Sequence, residues 1–154
     1  MKKNNVSADN FTSSKISLKS VINSVEFFAK MNKSELRSIN ISFVRDEEMT
    51  RINEKYLSHE GSTDVITFDY SDEPLKSLDG ELIICTDEAK RHSKTYGVLL
   101  TEELYRLIFH GLLHLTGYDD TDTRKSKLMR SKEDEILTLW KQYNFGKSNN
   151  FGAN

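Results

Sequence analysis

The sequence predicts an α+β fold, a small mixed sheet of about four strands packed with about five helices. Three observations predict it. Segments with apolar residues at helical spacing are interspersed, in mixed order, with short β-branched and aromatic runs. One run, Leu82-Ile83-Ile84-Cys85, is unbroken and apolar, as in a strand buried on both faces. One proline and seven glycines in 154 residues supply no linker, so residues 1–154 read as a single domain. Its folded core is expected over about 15–145, between polar tails.

The elements follow in order. The first fifteen residues are polar, and Phe11 is a weak strand start. Lys15 to Met31 places Ile16, Val21, Val25, Phe28 and Met31 near helical spacing. Asn40 to Val44 alternates apolar Ile41 and Phe43 with polar neighbours, the pattern of a half-buried strand. Asp46 is an N-cap candidate for a helix with Met49, Ile52, Tyr56 and Leu57 on its apolar face. After a loop at Ser58 to Ser62, Thr63 to Tyr70 predicts a strand. Ser71 to Asp79, which holds the proline, predicts a loop, and Gly80 to Thr86 a strand. Asp87 to Tyr96 predicts a helix stopped by Gly97. Thr101 is the expected cap of an apolar helix to about Leu115, with Glu102 and Glu103 in its first turn and Gly117 at its end. Arg124 to Tyr143 predicts a last helix with Leu128, Ile136, Leu139 and Trp140 as core candidates, followed by a loose polar tail from Gly146.

Composition excludes several function classes. Apolar residues are 36% and charged residues 30% of the chain, and the mean hydropathy is −0.60, which suits one water-soluble core. No window approaches the roughly 18 apolar residues of a membrane span. The N-terminal lysines precede no apolar stretch, so a cytoplasmic protein without a membrane partner is expected. The single cysteine, Cys85, allows neither an intrachain disulfide nor a four-cysteine zinc site. A net charge of −2 argues against attachment to nucleic acid mainly by bulk positive charge, though not against a local basic patch.

The informative segment is Phe109-His110-Gly-Leu-Leu-His114-Leu-Thr-Gly117-Tyr118-Asp119-Asp120. Histidines four apart share a helix face with Cβ atoms about 6 Å apart, so both imidazoles can reach one cation. Gly117 can turn the chain back, and Asp120, ten residues after His110, can complete the set. This is the metalloprotease-like metal helix with two changes. Gly111 stands where zinc peptidases carry their general-base glutamate, and Asp120 replaces a third histidine. Two histidines and one carboxylate leave a fourth position open on zinc, the mark of a catalytic rather than a structural site. Asp119 is the competing third ligand, or an acceptor for a ligating histidine.

The same segment resembles the signature of the YbeY family of bacterial endoribonucleases and rRNA maturation factors, whose pattern is H-G-x-L-H-L-x-G-Y-D-H. Asn53-Glu-Lys-Tyr56 with Thr63-Asp-Val-Ile-Thr-Phe68, and Gly80-Glu-Leu-Ile-Ile84, are similar to two further family segments in the same order. The likeness covers roughly Ile39 to Glu135. It implies a metal-dependent, single-strand-specific endoribonuclease of ribosomal RNA processing, including 3′-end maturation of small-subunit rRNA. It also implies one zinc ion, carried over to His110, His114 and Asp120. The implied partners are single-stranded ribosomal RNA and the small ribosomal subunit. Two positions depart from the pattern. Asp120 stands for a histidine, and Leu57 for an arginine implicated in RNA cleavage. Lys55, His59 and Arg106 are candidate substitutes for that arginine.

Other residues have a functional and a plain structural reading. Arg124, Lys125, Lys127, Arg130 and Lys132 place five bases in nine residues, either a phosphate-binding face or a solvated one. Lys125 and Arg130 are the RNA-binding candidates. Lys90, Arg91, His92 and Lys94 form a second basic group. Asp64 orients a ligand or positions water, or is a cap or turn acid; Glu81 is catalytic or an edge acid; and Tyr118 stacks on a base or packs. Two rival functions remain: a zinc metallopeptidase-like hydrolase, against which Gly111 speaks, and a non-enzymatic ribosome-associated factor, which Leu57 favours.

Overall fold

The computed structural model describes residues 5–72 and 77–150, the last six as backbone alone. It is an α+β sandwich with four strands and five helices in the order β1 (Val6–Asn10), α1 (Leu18–Met31), β2 (Glu35–Val44), α2 (Asp46–Leu57), β3 (Val65–Asp69), β4 (Ser77–Cys85), α3 (Thr86–Tyr96), α4 (Leu100–Leu115) and α5 (Thr123–Asn150). The sheet order is β1-β2-β4-β3, with β1 and β4 parallel to β2 and β3 antiparallel to β4. A parallel neighbour needs a crossover, and α1 supplies it between β1 and β2.

The two sheet faces carry separate cores. Ile39, Ile41 and Phe43 of β2 and Leu78, Leu82 and Ile84 of β4 point at α1, α4 and α5. Val44, Ile83 and Cys85 point the other way, onto Met49 and Ile52 of α2. This is why the Leu82–Cys85 run has no polar gap.

Several elements depart from the pattern reading. Strand β1 lies within the expected polar lead. Only Val6 of its five residues is buried, so no apolar alternation announces it. Phe11 follows the strand rather than starting it, and its N–H donates to the Phe43 carbonyl at 2.9 Å. Helix α1 begins at Leu18, because the Ser17 hydroxyl accepts from Ser20 N–H and caps it. Strand β2 starts at Glu35, five residues early, and β4 at Ser77, within the expected loop. Pro74 lies outside the described residues. Thr101 is inside α4, whose N-cap is Leu99. Helix α5 runs to Asn150 rather than ending before Gly146. Asp122 caps its first turn, accepting from Lys125 N–H at 2.8 Å. On α5, Ile136 and Trp140 are buried as expected, whereas Leu128 is 60% and Leu139 38% exposed. Met129 and Leu137 take their places in the core, one position along the helix in the first case and two back in the second.

Asp46 is the first residue of α2 rather than its cap, and its carboxylate ties three elements together. It accepts from both Arg91 terminal nitrogens, at 3.0 and 2.8 Å, from Ser62 at 3.0 Å and from the Cys85 thiol at 3.3 Å. The Arg91 hydrogen bonds hold it at about 2, below the usual 3.8. A depressed carboxyl contributes stability that is fully present above its unfolded value and is lost as pH falls through the folded one. The melting temperature is therefore expected to fall between about pH 4 and 2, and Asp46→Asn to flatten that fall. A thermal melt series across this range decides it, and parallel curves for both chains would remove Asp46 as a contributor.

Candidate metal centre

Helix α4 is apolar on most of its circumference and sits between the sheet and α5. His110 and His114 share its one half-exposed side. Gly111 faces the sheet instead. A Cβ at that position would stand 2.6 Å from Leu82 Cδ2 and 2.8 Å from its Cγ. The glycine lets α4 press its backbone onto β4. Beyond Leu115 the chain reverses, with Gly117 at φ 106° and the Tyr118 N–H on the Leu113 carbonyl at 3.1 Å. Tyr118 packs against the main core, and Asp120 returns to the histidines.

The two rings stand nearly perpendicular, at 84° with centroids 4.7 Å apart. His114 Nδ1–H donates to the Tyr118 carbonyl at 3.1 Å, and His110 Nδ1–H to the Glu133 carboxylate. That assigns the tautomers and leaves both Nε2 atoms toward each other, 3.1 Å apart. Asp120 Oδ2 lies 3.8 Å from His110 Nε2. The ligand atoms of His110, His114 and Asp120 all fall within 4.8 Å of one another. Tetrahedral zinc with Zn–N near 2.0–2.1 Å spaces its ligand atoms about 3.3 Å apart, so this set fits with small side-chain adjustment.

The electrostatics also suit a cation. Burial lowers the basicity of His110, but Glu133, Asp64 and Asp120 outweigh it and hold the ring above the ordinary histidine value. Burial, and then the neighbouring His110, hold His114 below it. Three carboxylates thus act on one imidazole.

Glu133, which the sequence reading missed, is the chief addition. It is buried on α5 and is also held by Arg106 at 3.2 Å, which in turn reaches Asp134 at 2.7 Å. Its position could have been found: Met129, Ile136, Leu137 and Trp140 define the buried face of α5, and Glu133 lies on it. Asp119 takes neither role open to it. It accepts from Thr121 N–H and hydroxyl and faces Lys125 at 3.7 Å.

The remaining candidates are placed as follows. Asp64, with His110 and Asp120, borders two clefts. One runs between α3 and α5 and carries Arg130. The other runs beside β3 and carries Leu57. Lys125 lines neither. Of the arginine substitutes, Arg106 is bound to carboxylates, and Lys55 lies over the Tyr56 ring at 5.2 Å. His59 is exposed and borders neither cleft. Glu81 lies mid-strand and accepts from the Tyr70 hydroxyl at 3.1 Å. In the second basic group, Arg91 is bound by Asp46 and Glu88, and His92 lies between Glu88 and Glu103.

The family described as Endoribonuclease YbeY matches residues 2–141. A protein named Endoribonuclease YbeY from Cytophaga hutchinsonii is 39% identical over 113 residues, 73% of this chain and 78% of that one. A protein of the same name from Flavobacterium psychrophilum is 42% identical over 111 residues, 71% of this chain and 76% of that one. The solution structure of TM1509 from Thermotoga maritima superposes with a TM-score of 0.65 at 22% identity, covering 94% of this chain and 95% of that one, which supports the fold.

Proposed function

This chain belongs to the YbeY endoribonuclease family, and from its site we propose a divalent-metal-dependent nuclease that cuts single-stranded RNA. Ribosomal RNA is the proposed substrate and 3′-end maturation of small-subunit rRNA the proposed task, performed in the cytoplasm. No helix among the described residues is long and apolar enough to cross a membrane. The single observation that carries the metal dependence is the convergence of His110, His114 and Asp120 within 4.8 Å.

Zinc is the proposed ion, since two imidazoles and one carboxylate match its ligand preferences and leave a position open. When bound, it supplies Lewis acidity toward a phosphoryl oxygen. The chain's own groups do the rest. Glu133 and the Tyr118 carbonyl fix the two rings by their Nδ1–H groups. Asp64, on the wall shared by both clefts, is the candidate to orient the attacking water. The peptidase reading loses ground at Gly111. A glutamate there would drive its Cβ into Leu82 rather than present a base to substrate.

A second reading has one observation in its favour. Leu57 borders the cleft beside β3, where the family carries an arginine. Leucine cannot hold a phosphate, so a ribosome-associated factor whose metal only stabilises the fold is the rival. Elemental analysis and side-by-side digestion of single-stranded RNA, duplex RNA and peptide test both. The expected result is about one zinc per chain and cleavage confined to single-stranded RNA. A metal-loaded chain that binds ribosomal particles yet leaves RNA uncut would transfer the assignment to the rival.

A further inference from the structure

Building on the nuclease reading, we propose that the RNA strand adjoining the cut lies in the cleft between α3 and α5, with a base stacked on Tyr96 and phosphates on Lys127 and Arg130. The cleft has a volume of about 360 Å³ and opens directly from His110 and Asp120. Tyr96 is 65% exposed on its wall. Its ring meets that of His92 near edge-on at a centroid distance of 6.2 Å. A large aromatic left open beside a hydrolytic centre is a stacking platform, and stacking tolerates any base.

The cations of the cleft divide into two kinds. Arg106 is held by Glu133 and Asp134, and His92 by Glu88 and Glu103. Lys127 and Arg130 are exposed, and no carboxylate among the described residues pairs with either. They stand three apart on α5, so they project to one side about 5–6 Å from each other. The cleft beside β3 offers no such groups. It shares Asp64, His110 and Asp120 with the first, adds Asp69, His114 and Leu57, and is lined by no lysine or arginine. A polyanion therefore finds exposed lysine and arginine partners on one side of the cut only. The strand is gripped asymmetrically, and phosphate contacts set its register without reading its sequence.

Anisotropy of a short fluorescein-labelled single-stranded RNA tests this on the full chain. Tyr96→Ala is expected to weaken binding about tenfold and Tyr96→Phe to restore it, because stacking needs the ring and not the hydroxyl. The salt dependence separates the two contact types. The Lys127→Gln/Arg130→Gln double variant should lower the slope of log affinity against log salt by about 1.4, while Tyr96→Ala leaves the slope unchanged. Lys132→Gln, whose ammonium is already 3.4 Å from Glu135, serves as the paired-charge control and should alter neither. If the wild-type chain binds and cuts RNA but the Tyr96 and double variants match it, the cleft assignment is overturned and the nuclease reading stands. If the wild-type, metal-loaded chain neither binds nor cuts single-stranded RNA, the nuclease reading falls and the cleft assignment with it.

Discussion

Replacing His114 by alanine is expected to remove metal and RNA cleavage together. The His114 ring contributes one of three ligand atoms, and its Nε2 stands 3.1 Å from that of His110. Without it one imidazole and an exposed carboxylate remain, too few to hold a divalent ion against solvent. Metal assistance lowers a phosphoryl-transfer barrier by several kcal/mol, so cleavage should fall by about three orders of magnitude or more. The fold should survive. Alanine is the best helix former, and the ring is half-exposed rather than part of the core. Elemental analysis, circular dichroism and single-turnover cleavage on the same preparation check the three statements. A folded variant that keeps its metal and its activity would sink the assignment.

Glu133→Ala is expected to have the next largest effect, at a residue that touches no substrate. The carboxylate is 4% exposed and joins His110 to Arg106. Its loss frees the His110 ring to rotate and removes the acceptor that fixes its tautomer. Partners of ligating histidines are worth about 10–100-fold in metal affinity, and that loss is expected here. Arg106 retains Asp134 at 2.7 Å, so no buried charge is left unpaired and the stability cost should stay near 1–3 kcal/mol. Chelator-competition titration reads the affinity and thermal melting the stability. Unchanged metal affinity alongside lowered stability would make Glu133 a structural ion pair and nothing more. Glu133→Gln should lie between, since it keeps an acceptor for Nδ1–H but gives up the charge.

The contrast between these two residues explains what the sequence made legible. His110 and His114 belong to one helix, so period alone puts them on one side, and the turn at Gly117 brings Asp120 back by simple offset. Glu133 comes from a different helix, 23 residues beyond His110, inside the run Lys132-Glu133-Asp134-Glu135. Taken locally, such a run is a solvated surface, and only the apolar phase of α5 distinguishes the first acid from the other two. The fold follows the same division. Strands with one strongly apolar face, and helices with Gly97 or Gly117 at their ends, are visible in the amino acids. Strand β1 is not, because a sheet edge needs little apolar surface and polar residues protect it from mispairing. Asp46 reads as a cap by type, yet Arg91, from a helix 45 residues on, claims its side chain. Tertiary partners override local preference at both acids.

The placement of Glu133 on α5 has a consequence for the order in which the protein becomes dangerous to RNA. During synthesis, His110, His114 and Asp120 all emerge before the residue that steadies them. A nascent or truncated polypeptide ending between Asp120 and Glu133 would carry all three candidate ligands but neither Glu133 nor the core residues Ile136, Leu137 and Trp140, and so would have a poor grip on an ion. Under the proposed function the chain would gain its ion, and with it its activity, only once α5 is complete; truncations ending at residues 122 and 140, compared for zinc retention with circular dichroism alongside to separate loss of the fold from loss of the ion, test this.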